Sequence, residues 1–382
     1  YNKSEEYWEK NRFENLKKEE KGVYKMLDTL QTVKKFQQLY SLVEILDSGY
    51  INFGNIDYGP IFSIIGQNSV EGLRLRGGAR TYFGPNDPWR LQGYLAYGFK
   101  DDKFKYGFTG KWMIEPKKRI IITAGNRRDI EQIGASLTTT NDIVGRNFAS
   151  SGLLTVGSNN KLTNVNLSNV QVEIEPIKNL TFSTGLTYRT LESASPEFSL
   201  DFYTDLSQST IKSQVNQSEV NIQVEYTPKR IPIAFGVERD NTDSPFTSIF
   251  VTYSQGFKGI FFFYFEYKKL QLFYKQPLII GPLGRSNIII EMGKTFGYIP
   301  LGLISVVPGN QSLFNISNTF SNLQYYEFVT DQYATFKWDH DFQGRFFARI
   351  PFMRKLNWRE NIGFKSVYGT VSDENRAINA SG

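Results

Sequence analysis

The sequence predicts an all-β membrane protein, an antiparallel transmembrane β-barrel behind a short N-terminal α-helical segment. Three observations predict it. Segments of roughly 10 to 13 residues alternate apolar and polar side chains with a period of two, longer than the soluble strand mode and suited to a tilted membrane-crossing strand. Their connections alternate between short turns and long loops, as in bacterial outer-membrane barrels. Aromatic residues gather near strand ends (Phe83 and Trp89, Phe99 and Phe104, Phe328, Trp338, Trp358 and Tyr368), where interfacial girdles form.

Composition excludes much else. The 382 residues contain no Cys, which removes disulfides, thiol catalysis, iron–sulfur clusters and thiolate zinc. A single His leaves every imidazole-based arrangement dependent on one residue. A net charge of +6 over this length is too weakly basic to argue for nucleic acid. No run of about 18 apolar residues provides a transmembrane helix, the longest apolar stretch being Gly259 to Phe265. A mean hydropathy of −0.37 fits a soluble protein equally well as a barrel, whose strands are only half apolar. The chain opens on a charged segment without an apolar signal core and reads as a mature or trimmed fragment.

Residues 1–54 are expected as a periplasmic helical segment and 55–382 as the barrel, incomplete at its C-terminus. Val23, Met26, Leu27, Leu30, Val33, Leu39, Leu42, Val43 and Leu46 recur near a 3.6-residue period and predict one amphipathic helix docked on the rest. From about Asn55 the period is two. Phe104, Tyr106, Phe108, Trp112 and Ile114 share one face, and Lys105, Gly107, Thr109, Lys111 and Met113 the other. Strands are expected near 56–65, 70–83, 89–99, 104–115, 119–128, 162–175, 180–191, 216–227, 244–255, 264–279, 285–296, 331–341 and 357–368. These thirteen cannot close antiparallel, so the whole protein is expected to have 14 to 16 strands. Long outer loops are expected at Asp129–Lys161, Glu192–Val215 and Gly297–Thr330, with 228–243 and 342–356 as longer periplasmic connections.

Strand parity places a set of charges inside. Arg74, Arg76, Arg80, Arg90, Lys105, Lys111, Arg189, Lys337, Arg359 and Lys365 face the lumen, opposed by Glu173, Glu175, Glu219, Glu225 and Asp339. The carboxylates are numerous enough to pair most cations, so cross-braced walls are favoured over an anion-selective lumen. His340, between Asp339 and Asp341, falls by parity on the lipid side near the periplasmic end. It reads as a girdle residue, because neighbouring strand residues point to opposite faces and cannot form a triad. The apolar run Leu301 to Val307 either folds into the lumen or faces a partner. No phosphate loop, dinucleotide fingerprint or nucleophile elbow occurs.

Several blocks resemble one family. They are YWEKNR (Tyr7 to Arg12), VEGLRLRGGART (Val70 to Thr81), GYLAYGFKDDKFKYG (Gly93 to Gly107) and RRDIEQIG (Arg127 to Gly134), then YYEFVTDQYA (Tyr325 to Ala334), RIPFMRKLNWRE (Arg349 to Glu360) and YGTVSDEN (Tyr368 to Asn375). The chain resembles the Bacteroidota outer-membrane β-barrel family of unknown function whose full-length members carry an N-terminal carboxypeptidase-regulatory-like domain. The resemblance implies a bacterial outer-membrane location, a periplasmic N-terminal region and no established enzymatic chemistry.

The expected function is therefore a non-enzymatic outer-membrane barrel, a subunit or scaffold of an envelope assembly or a gated conduit. It needs no cofactor or metal. Its partners are outer-membrane lipid and other outer-membrane or periplasmic proteins. The alternatives are a porin-like channel with a basic, anion-preferring lumen and a soluble all-β binding protein.

Overall fold

The computed structural model describes residues 7, 10–11, 17–132, 150, 160–242, 244–258, 265–310, 319–324 and 326–379. The expected loop Asp129–Lys161 lies mostly outside the described residues, as do most of the run Gly259–Phe265 and parts of the blocks at Tyr7, Arg127 and Tyr325. The chain divides into two compact units, Tyr1–Ile51 and Asn52–Gly382.

The first unit is helical. The single expected helix is two, α1 (Lys18–Thr32) and α2 (Lys34–Ser48). Val33 separates them with extended backbone angles, φ −79° and ψ 114°, so the apolar period runs on while the hydrogen-bond ladder is interrupted. Gly49, in the left-handed region at φ 73°, ends α2 and donates its N–H to the Ile45 carbonyl, an ending that glycine makes without steric cost. Leu39, Leu42, Val43 and Leu46 are exposed along α2.

The second unit is built on one antiparallel sheet with 15 strands among the described residues. Twelve are long: β1 (Gly72–Thr81), β2 (Trp89–Gly98), β3 (Lys103–Glu115), β4 (Ile120–Glu131), β5 (Thr163–Ile177), β6 (Leu180–Ser193), β7 (Gln214–Tyr226), β8 (Ser248–Gly256), β9 (Tyr267–Ile279), β10 (Arg285–Phe296), β11 (Gln332–Asp341) and β12 (Asn361–Thr370). Each pairs only with its sequence neighbours, a pure meander. The first expected strand is broken. Ile56–Tyr58 and Ile65–Asn68 pair with the two halves of β1, separated by a 3₁₀ turn at Ile61–Ser63 after Pro60. Pro60 has no N–H to give the ladder, which accounts for the break. A fifteenth, short strand, Ile51–Phe53, pairs with Ile56–Tyr58 at this edge, and β12 forms the other. The Ile56–Asn68 row and β12 run in the same direction, and the two edges are not paired to each other among the described residues.

Alternation sorts the two faces in an inverted order. On β3, Phe104, Phe108 and Trp112 are exposed while Lys105, Gly107 and Met113 are buried. On β7, Glu219, Asn221, Gln223 and Glu225 are buried while Ile222 and Tyr226 are exposed. The apolar face is open and the polar face covered, the opposite of a sheet half-buried in a water-soluble core.

The polar face is also concave. The guanidinium of Arg74 on β1 meets Asp129 on β4 at 2.7 Å. Those strands stand three positions apart, about 14 Å in a flat sheet, and side chains rising perpendicular from such a sheet keep that distance. The contact therefore requires the strands to curl around the polar side.

Both ends of this face are covered. At the loop end, Val165, Leu167, Leu191, Val215 and Tyr267 from the strands pack on Phe202, Phe265, Ile299, Leu303, Ile304 and Ile378. The run Leu301 to Val307 thus folds inward, and of its two expected placements the covering one holds. Helix α3 (Pro351–Lys355) lies in the connection before β12, and α4 (Asp373–Ile378) follows β12. Neither was expected from the pattern.

Candidate functional site

The polar face of β1–β12 concentrates the ionisable residues, and chain neighbours deliver them by strand parity alone. Its first cluster spans β1–β4. Arg74, only 1% exposed, holds Asp129 through two parallel contacts of 2.7 and 2.8 Å and touches Glu71 at 2.7 Å. Glu71 is also held by Lys105 at 3.0 Å, which in turn meets Asp101 at 2.7 Å. Asn68 donates to the remaining Glu71 oxygen at 2.6 Å. A buried bidentate arginine–carboxylate pair with its lone pairs satisfied is the geometry in which burial of charge is tolerated.

Three tyrosines brace the curl. Tyr94 on β2 lies over Gly107 on β3, and its hydroxyl donates to Asp129 on β4 at 2.6 Å. Tyr267 on β9 lies over Gly256 on β8 and donates to Glu219 on β7. Tyr333 on β11 lies over Gly293 on β10, and its hydroxyl accepts from Gln271 Nε2 on β9 at 2.8 Å. A Cβ on any of these glycines would collide with the tyrosine ring. The three glycines act as recesses that let one side chain span two strands.

The other candidates take their places on this face with one exception. Arg76 stacks on the Tyr94 ring at 4.2 Å, Arg80 pairs with Asp57 at 3.0 Å, and Arg90 with Asp87 at 3.4 Å. Arg189 meets Glu219 at 3.3 Å, Lys337 meets Glu291 at 3.6 Å, and Lys365 donates to the Thr319 carbonyl. Arg359 does not join them. Helix α3 occupies the preceding connection and the chain enters β12 only at Asn361, so Arg359 sits exposed outside the sheet.

At the turn end the connection 228–243 covers the face. Arg230 pairs with Glu225 at 3.2 Å, Arg239 with Glu175 at 2.5 Å, and Glu238 with Lys111 at 2.7 Å. Arg119, in the β3–β4 turn, donates to the carbonyls of Gly236 and Val237 and lies 3.8 Å from Glu173. The backbone of Gly236 and Val237 then bonds to Pro85 and Asp87 in the β1–β2 turn. Residue 236 must be glycine, since a Cβ there would lie 2.6 Å from the Asp87 nitrogen. Sequence reading had only a longer connection here. The signals were Arg230, Glu238 and Arg239 within it, complementary to charges already placed on the face.

His340 follows parity onto the apolar side and is nevertheless buried. It lies between the rings of Trp338 and Phe342. Its Nε2 is 3.0 Å from the Leu283 carbonyl and therefore carries the proton, which leaves Nδ1 to accept from Ser286 Oγ at 2.7 Å. Trp338 Nε1 also donates to Ser286 at 3.2 Å. Neither Asp339 nor Asp341 touches the imidazole, which is a satisfied, hydrogen-bonded side chain among aromatic rings. Among the described residues no group of three or more His, Asp and Glu side chains converges as a metal-ligand set.

Residues 49–374 match the model of a family described as a family of unknown function (DUF5686), C-terminal domain. Among solved structures, BamA from Haemophilus ducreyi lacking POTRA domains 1–3 is similar at a TM-score of 0.44 and 8% identity, over 83% of this chain and 57% of that one. The chain thus spans a little over half the length of that structure. No curated protein matches.

Proposed function

We propose that this chain, which belongs to the DUF5686 C-terminal domain family, forms the wall and braced interior of an outer-membrane β-barrel, serving as a subunit or scaffold of an envelope assembly. The observation that carries this reading is the inverted burial. Arg74 is 1% exposed while Phe104, two strands away, is 73% exposed. Lipid is the solvent in which an exposed band of Leu, Phe and Trp is stable, and closure by a further strand would satisfy the free backbone edges that lipid cannot. The same inversion disfavours a soluble all-β binding protein. The porin-like alternative is disfavoured by ion pairs such as Arg74–Asp129 and Arg189–Glu219, and by the covering segments at both ends. The N-terminal unit lies in the periplasm in this reading, and the partners are lipid and other envelope proteins.

The tests separate these readings. The protein should fractionate with outer membranes and need detergent for extraction, and a soluble product would refute the barrel. A protease-sensitive tag within 192–215 should be cut on intact cells and one at 176–179 shielded, while the reverse would invert the topology. Planar bilayers should show no steady conductance, and a stable open pore would favour the channel. His340→Ala should leave any cellular phenotype intact. Its loss without loss of folded protein would point to enzymatic chemistry.

A further inference from the structure

At the turn end of β9–β12, the face has a cavity of about 430 Å³, within the range of small-ligand sites. Strand register sets its floor in rows. Arg285 on β10 faces Asp341 on β11, and one row inward Asn287 faces Asp339. Lys275 on β9 stands a row further in, opposite Ile289. Phe246 and Pro277 give the cavity an apolar side.

The charges here differ from those of the rest of the face. Among the described residues, Lys275, Arg285 and Asp339 enter no ion pair, and Asp341 accepts only the Gln343 backbone N–H at 2.7 Å. Asn287 Oδ1 is buried without a hydrogen-bond partner. A buried acceptor without a donor is destabilising, so the site favours a ligand that supplies one.

We infer that this cavity binds a short zwitterionic peptide of two or three residues, its carboxylate toward Lys275 and Arg285 and its ammonium toward Asp339 and Asp341. Strands are about 4.8 Å apart and successive rows on one face about 6.8 Å, so the backbone positions of these cations and carboxylates are separated by roughly 5 Å (Arg285–Asp341) to roughly 16 Å (Lys275–Asp341). An extended chain spans about 3.5 Å per residue, so two or three residues bridge from Lys275 to the carboxylates of β11, which a single amino acid does not. A peptide N–H supplies the donor that Asn287 Oδ1 lacks, and Phe246 and Pro277 take the side chains.

The experiment is calorimetric titration of the folded, detergent-held chain with alanyl-alanine, N-acetyl-alanyl-alanine, alanyl-alanine amide and free alanine. Alanyl-alanine should bind, and removal of either terminal charge, or use of alanine, should weaken binding about tenfold or more. Asp339→Asn should cause the same loss for alanyl-alanine and little further loss for the acetylated peptide. Arg285→Gln should do so in parallel for the amide. No binding of alanyl-alanine to folded protein, or equal binding of the blocked peptides, would overturn the assignment. Heat-modifiable migration of the same sample reports the barrel separately, so the two readings fail independently.

Discussion

Tyr94 lies across Gly107 on the neighbouring strand, and this close approach lets its hydroxyl reach Asp129 one strand beyond. The glycine is thus half of the contact, and the tyrosine cannot lie flat if residue 107 carries a side chain. The same relation at Tyr267–Gly256 and Tyr333–Gly293 makes the curl a property of three cross-strand pairs.

Gly107→Ala should lower stability by about 1–3 kcal/mol through overpacking against the ring. Tyr94→Phe keeps the ring but leaves Asp129 one donor short, and should cost a similar amount. Urea unfolding in detergent measures both. A combined Gly107→Ala, Tyr94→Ala variant should recover part of the alanine penalty, and strictly additive losses would show that the two residues do not act together.

The two faces should respond oppositely to charge. Leu95→Arg and Phe108→Arg place a cation on the exposed apolar face and should each cost roughly 2–4 kcal/mol in a membrane if near its midplane. Lys111→Ala removes one half of a partly exposed pair with Glu238 and should change little. Heat-modifiable migration scores assembly, and equal effects of the two classes would contradict the membrane assignment.

Arg74→Met takes the cation from buried Asp129 and leaves Glu71 to Lys105, and should cost about 3–5 kcal/mol. Asp129→Asn in the same chain should restore part of this loss. A double variant no better than Arg74→Met alone would argue against the bidentate contact as the source.

Asp331 links pH to the loop-end cover. Burial raises its pKa, but hydrogen bonds from Ser372 and Asn375 outweigh this and hold the carboxyl below its usual range. A depressed folded value means the contribution to stability is complete above the unfolded carboxylate pKa of about 4, begins to fall below it, and is lost as pH falls through the lower folded value. Asn375 also accepts the Ile299 N–H, so acidification should loosen α4 and the Ile299–Ile304 cover together. Amide exchange at 373–379 should accelerate below about pH 4 in the native chain. In Asp331→Asn it should be faster at neutral pH and flat across the same window.

How much of this was legible depended on the range of the signal. The alternation in Phe104–Ile114 and Glu219–Thr227 is local, and it groups Lys105, Glu219 and Glu225 with the side chains found on the covered face, because parity needs no knowledge of register. The Tyr94–Gly107 contact depends on register, which no single segment encodes, so Gly107 looked like one more small residue. Val33 and Pro60 mark breaks that a periodicity scan runs across. Arg359 was misplaced because α3 shifts the start of β12, a boundary set by the preceding connection. The cover formed by Leu301–Val307 was undecidable from composition, since an apolar loop needs a known wall before its destination can be read.

The meander constrains how such a chain can change length. Because every long strand pairs only with its sequence neighbours, removing one strand reverses the direction of all that follow and exchanges loop end for turn end, while removing a hairpin preserves both. Lineages built this way should therefore differ by strand pairs, with insertions accumulating in the connections. Pairs that cut through the β2–β4, β7–β9 or β9–β11 triplets would separate a tyrosine from its glycine or its anchor. The hairpin β5–β6 carries neither a bracing tyrosine nor its recess, and is the place where duplication or loss would disturb the bracing least.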